Sequence, residues 1–126
     1  MRLLLDTHTL LWWLDDEKRM LSEKAYKALA NKRNTVFVSA ASIWEICIKR
    51  SRRKLDAPND LEKGIEYSRF HPLPIVFSHA LMIETLPHHH NDPFDRILLA
   101  QAKSEDLTLV SRDTQMGLYG VPILKA

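Results

Sequence analysis

Glycine is scarce in this 126-residue chain, with three residues in all. That excludes a Gly-rich phosphate loop and argues against a fold of many tight β-turns. Cysteine is scarcer still. Cys47 stands alone and forms no internal disulfide, which suits a reducing compartment, so a cytoplasmic location is expected. No apolar run approaches the roughly 20 residues that span a bilayer, so no membrane role is expected. The opening run to Asp6 is too short for the apolar stretch of a secretory signal. Excess charge is also missing: 18 basic against 16 acidic side chains leave +2, too little to imply a nucleic-acid partner by itself. What is present is 45% hydrophobic and 27% charged residues, the composition of a soluble globular protein. The length suits one domain, residues 1–126, with a real core.

The patterning predicts strands alternating with helices. Residues 2–6 read as a short buried strand, and His-Thr-Leu-Leu-Trp-Trp-Leu at 8–14 starts a helix packed on the sheet. Ser22 caps a second helix, without a capping box because Ala25 stands three residues on. The β-branched and aromatic run 35–38 is a strand, followed by a helix reaching about Arg50. An amphipathic stretch covers 59–69, and 73–75 is an extended piece whose proline favours a sheet edge. Residues 78–86 and 92–104 are helical, the latter with Pro93 at its first position. Strands close the chain at 107–110 and 121–124. The alternation predicts an α/β fold, a three-layer sandwich with a mainly parallel central sheet. The longest loop falls at 51–58.

Two carboxylates stand just past the ends of apolar strands. Asp6 follows Leu3-Leu4-Leu5, and Asp113 follows Leu109-Val110-Ser111-Arg112. Parallel sheets gather their ligand sites at the carboxyl ends of their strands, so these acids point to one site. Each has a plainer reading: Asp6 capping the next helix, Asp113 capping a turn at 114–116. Asp92 and Asp95 flank Pro93, which makes Asp92 the N-cap and Asp95 the third helical residue. Asp95 shares a face with Leu98, Leu99 and Ala102, where a carboxylate is costly unless paired or metal-bound. Glu45 interrupts Ile43-Trp44-Glu45-Ile46, and its plainer reading is an i,i+4 pair with Lys49 on a solvated stripe. Taken together, Asp6, Glu45, Asp95 and Asp113 converge on one sheet edge. Each close pair repels by about 4 kcal/mol at 4 Å for an effective dielectric near 20. A hard divalent cation relieves this, and oxygen donors without a His/Cys cluster favour Mg²⁺ or Mn²⁺ over zinc. His88-His89-His90 reads as a solvated loop, because consecutive histidines share no helix face. Cys47 reads as an inert core thiol, and Trp12 and Trp13 as core or interface residues.

These residues match a family pattern. The chain resembles the PIN-domain ribonucleases, in particular the VapC-like toxins of bacterial and archaeal type II toxin–antitoxin pairs. The resemblance rests on Leu3-Leu4-Leu5-Asp6-Thr7-His8, on Ser39-Ala40-Ala41-Ser42-Ile43-Trp44-Glu45-Ile46, on the run from Asp92-Pro93-Phe94-Asp95-Arg96 to Ala102, and on Leu109-Val110-Ser111-Arg112-Asp113. It implies a Mg²⁺- or Mn²⁺-dependent endoribonuclease, a hydrolase leaving 5′-phosphate and 3′-hydroxyl ends. The family's four acids map onto Asp6, Glu45, Asp95 and Asp113, and its supporting hydroxyl onto Ser111. Asp92 keeps the capping role. Relatives often carry a glycine before Lys-Leu in the middle loop, where this chain has Arg52-Arg53-Lys54-Leu55. The resemblance also implies an RNA substrate, a small antitoxin covering the acidic groove, and homodimerisation through apolar helices, with Trp12 and Trp13 as candidate contacts.

The basic residues Lys49, Arg50, Arg52, Arg53 and Lys54 have two readings: RNA phosphate binding, or a helix end favoured by the dipole. Two other classes of function are open. One is a catalytically inactive binding module on a PIN scaffold, against which the four retained acids count. The other is an aspartyl-phosphate enzyme with Asp6 as nucleophile, against which His8 counts, since such phosphatases carry a second aspartate there.

Overall fold

The computed structural model describes residues 1–15, 17–53 and 60–126. Its strands are β1 (Arg2–Leu5), β2 (Thr35–Ser39), β3 (His71–Leu73), β4 (Thr108–Ser111) and β5 (Ile123–Lys125). They pair in the order β3-β2-β1-β4-β5, and every pairing is parallel. The α-helices are α1 (Thr7–Leu14), α2 (Glu23–Ala30), α3 (Ala40–Ser51), α4 (Leu61–Tyr67), α5 (Phe77–Met82) and α6 (Pro93–Glu105). β1 is central because both its neighbours bury it, which is why it reads as an uninterrupted apolar run.

Successive side chains of a strand face opposite ways, and the core divides accordingly. Leu3, Leu5, Val36, Val38 and Val110 pack with helix residues such as Leu10, Ala25, Ile46 and Ile65 on one side. Leu4 and Leu109 pack with Leu98, Leu99, Ala102, Met116 and Tyr119 on the other. The result is the three-layer α/β sandwich. Each fully buried leucine contributes about 1.5–3 kcal/mol relative to exposure.

Several boundaries differ from the sequence reading for physical reasons. β1 stops at Leu5, because Asp6 turns out of the strand to cap α1. The edge strand is His71–Leu73 rather than 73–75, and it places Pro72 at an edge as proline requires. The helix expected over 78–86 is α5 followed by a 3-10 turn at Ile83–Thr85. The carbonyls of Ile83 and Leu86 are there taken by the Arg96 guanidinium. In the expected loop 51–58, Ser51 ends α3, and residues 54–58 lie outside the described residues, as does Asn59.

Cys47 is not a core thiol but exposed. It follows the fully buried Ile46, and adjacent helix residues point about 100° apart. Trp12 and Trp13 are half-buried against the core. Trp13 donates to Ser68 Oγ at 3.0 Å and stacks at a tilt on Phe70, while Trp12 lies under the Arg112 guanidinium.

Candidate functional site

All five strands run the same way, so their carboxyl ends share one edge, and the helices that follow β1 and β2 begin there. Asp6 occupies the first turn past β1. Its Oδ1 accepts the Thr9 N–H at 2.9 Å, the cap that the plainer reading foresaw. Its Oδ2 accepts the Ser111 hydroxyl at 2.5 Å, across the sheet from the end of β4. Ser111 Oγ in turn accepts the Asp113 N–H at 3.0 Å, so one hydroxyl ties the acids after two neighbouring strands.

Glu45 lies on α3 and is 6% exposed. The foreseen pair with Lys49 is present at 2.6 Å, but the stripe is not solvated on the glutamate side. Glu45 Oε1 accepts the Thr7 hydroxyl, also at 2.6 Å, which ties it to the residue after Asp6. The Lys49 ammonium is held above the ordinary lysine range, chiefly by its hydrogen bond to Glu45, with Asp92 and Asp95 adding to it.

At the head of α6 the two aspartates separate as expected. Asp92 Oδ1 accepts the N–H groups of Phe94 and Asp95, at 2.8 and 3.1 Å. Asp95 is left free of capping and faces the pocket. Burial first, and then repulsion from Asp92, Glu45 and Asp6, push its carboxyl up to about 7 against a partial opposing pull from His90. That repulsion shows that these acids share one neighbourhood. Asp113 caps the 3-10 turn Thr114–Tyr119 through Oδ1, which accepts the Gln115 N–H. Its Oδ2 lies 2.8 Å from His90 Nε2.

His90 is the residue that sequence reasoning missed. It does not lie in a solvated loop, for its side chain is 13% exposed and its Nε2 lies 3.1 Å from Asp95 Oδ2 as well as 2.8 Å from Asp113. One oxygen from each aspartate and this nitrogen lie within 4.8 Å of one another, a potential metal-ligating group. Asp6 and Glu45 stand beside that group rather than inside it: Ser111 ties Asp6 to Asp113, and Thr7 ties Glu45 to the residue after Asp6. The available signal was the position of His90 just before the Asn91-Asp92-Pro93 cap, which pins it within a turn of Asp95. His88 and His89 are exposed.

The basic segment divides. Arg50 is half-buried, Arg52 and Arg53 are exposed just past the end of α3, and Lys54 lies outside the described residues. An open cavity of about 540 Å³ reaches His90, the neighbour of Asp95 and Asp113, and is otherwise lined by Trp44, Ile75, Phe94 and Ile97 among others.

Comparison with known proteins places the chain. The family model described as PIN domain matches residues 3–121. No curated protein matches it in sequence. Among solved structures, VapBC2 from Rickettsia felis bound to a promoter DNA fragment aligns with a TM-score of 0.71 at 17% identity, over 99% of this chain and 98% of that one. VapBC-5 from Mycobacterium tuberculosis, a member of the VapBC family of toxin–antitoxin systems, aligns at 0.58 and 17%, over 99% and 98%. A toxin–antitoxin complex from Klebsiella pneumoniae aligns at 0.59 and 20%, over 97% and 95%. At such identities these likenesses speak for the fold. Among the described residues no helix is long and apolar enough to cross a membrane.

Proposed function

The chain belongs to the PIN domain family, and we propose that residues 1–126 form a single metal-dependent endoribonuclease domain acting as the toxin of a toxin–antitoxin pair. The observation that carries this reading is geometric: one oxygen each of Asp95 and Asp113 lies with His90 Nε2 within 4.8 Å, beside the buried Asp6 and Glu45. Burial, with the neighbouring carboxylates adding to it, pushes the Asp95 carboxyl up to about 7, a state that a divalent cation relieves. Direct candidates for ligands are Asp95 and Asp113, with Asp6 and Glu45 reaching the ion directly or through water. Their oxygens suit Mg²⁺ or Mn²⁺, which take carboxylates and retain water. When bound, such an ion supplies a more acidic water and stabilises charge on the phosphoryl group.

The protein's own groups do the rest. Ser111 and Thr7 hold Asp6 and Glu45 by short hydrogen bonds, so neither needs to reorient as charge arrives. Lys49 faces the acids from α3 and is suited to an RNA phosphate once the ion neutralises them. Arg50, Arg52 and Arg53 extend that basic side, contributing salt-dependent affinity and little sequence reading.

Partners follow from the same reading. An antitoxin segment would cover the acids and the adjoining cavity. For a homodimer, α5 and its approach are better placed than Trp12 and Trp13: Ile75, Val76, Phe77 and Leu81 are exposed, Phe77 at 88%. Substitution Phe77→Glu should shift the chain from dimer to monomer in sedimentation. A cytoplasmic location completes the proposal.

The direct test is cleavage of a structured RNA by the purified chain with Mn²⁺. EDTA should stop it and excess Mn²⁺ restore it. Cleavage that persists in EDTA, or a folded Asp6→Asn protein that cuts at the wild-type rate, overturns the mechanism.

A further inference from the structure

His90 sits between two of the acids, and its other ring nitrogen reveals how. Nδ1 accepts the Asp92 backbone N–H at 3.1 Å. An accepting Nδ1 carries no proton, so the ring proton is on Nε2. Nε2 faces Asp113 Oδ2 at 2.8 Å and Asp95 Oδ2 at 3.1 Å, and donates toward both. A ligating Nε2 would have to give up that proton to Nδ1, which would then oppose the Asp92 N–H donor to donor.

The ring is also held from behind. The His90 N–H donates to Tyr119 Oη at 2.8 Å. The Arg96 guanidinium, 7% exposed, donates to the carbonyls of Pro87, Ile83, Leu86 and His90 and to Tyr119 Oη. Its described acceptors in that set are four carbonyls and a hydroxyl, none of them a carboxylate. The segment from Ile83 to His90 is thus wrapped around a charge belonging to α6, the helix that also carries Asp95. Asp95 and His90 are therefore fixed to one rigid element.

We infer that His90 is a positioning residue of the metal pocket: its Nε2–H bridges the carboxylates of Asp95 and Asp113 and holds them at ion-binding spacing, without itself ligating the ion. The inference rests on the metal-pocket reading above. An ionised carboxylate has about four lone-pair sites, so one hydrogen bond from His90 leaves sites for a cation. Outer-shell donors that orient ligands in this way are typically worth about 10–100-fold in metal affinity.

The test is calorimetric titration of the full chain with Mn²⁺, alongside the melting temperature of each metal-free variant. His90→Ala should lower Mn²⁺ affinity about tenfold or more while melting near wild type. His90→Gln, which keeps a side-chain N–H but offers no ring nitrogen, should restore most of the affinity. Wild-type affinity in His90→Ala overturns the inference and leaves the metal pocket standing. Equal losses in both variants make the ring nitrogen a ligand and overturn it too. A wild-type chain that binds no Mn²⁺ overturns both readings. Imidazole ¹⁵N shifts of the metal-free wild type give a check that needs no variant: a proton on Nδ1 of His90 overturns the donor role.

Discussion

The two ends of the central sheet handle polar groups in opposite ways. At the amino end, the Met1 ammonium donates to Asn34 Oδ1 at 2.9 Å, Asn34 Nδ2 donates to Ala28 O, and Arg2 reaches the carbonyl of Glu105. These groups are exposed or half-buried and are matched to neutral acceptors. At the carboxyl end, Asp6, Glu45 and Ser111 are buried, and a second tier of Asp92, Asp95 and Asp113 crowds against them. One end satisfies the chain at little cost, whereas the other accumulates like charge that folding alone does not reward. That difference separates the end that stabilises from the end to which we assign the proposed chemistry.

Asp6→Asn keeps an N-cap acceptor for Thr9, so the fold should stand. RNA cleavage should fall more than about 100-fold, beyond the loss expected for an outer-shell partner. Circular dichroism and a cleavage assay read the two effects separately.

Asp95 supplies the next effect, on pH. Its folded pKa of about 7 lies above the ordinary 3.8, so the folded chain holds this proton more tightly than the unfolded chain. The sign follows: its contribution to stability is fully present below about pH 4 and is lost as pH rises through about 7. A cation must displace the same proton, so Mn²⁺ affinity should rise from pH 6 to pH 8, by up to about tenfold per unit below 7. Flat affinity across that range would mean that Asp95 is not a ligand.

Asp95→Asn sharpens the contrast further. At pH 8 without metal, it should melt about 4 °C or more above wild type, the shift that about 1 kcal/mol produces in a small domain. It should also lose the melting increase that Mn²⁺ gives the parent. A residue kept for stability would do the reverse.

Arg52→Ala and Arg53→Ala should each weaken RNA binding and lower the salt slope by about one, with little change at saturating RNA. The smallest effect belongs to the amino end. Asn34→Ala should cost about 1 kcal/mol of stability in denaturant titration and leave cleavage unchanged.

Much of this was legible in the order of residues. Leu3-Leu4-Leu5 ending at Asp6 declared a buried strand and the acid at its tip, because a central parallel strand is apolar on both faces. Asp92-Pro93 declared its cap, which freed Asp95 for the pocket. The i,i+4 pair of Glu45 with Lys49 was legible, although the lysine sits on a buried carboxylate rather than on a wet stripe. Cys47 and His90 were misread, because exposure on a helix and the path of a loop depend on what lies opposite.

By itself, then, the sequence determined the alternating elements and the parallel sheet, since these follow from local periodicity and from the shared direction of parallel strands. Only the tertiary structure decided the place of His90. Its ring enters the pocket because Arg96, buried beneath it, gathers the carbonyls of a loop whose own sequence has no period to read. The neighbouring residues hinted only that His90 lies within a turn of Asp95, since the side its ring takes is set by the Arg96 contacts.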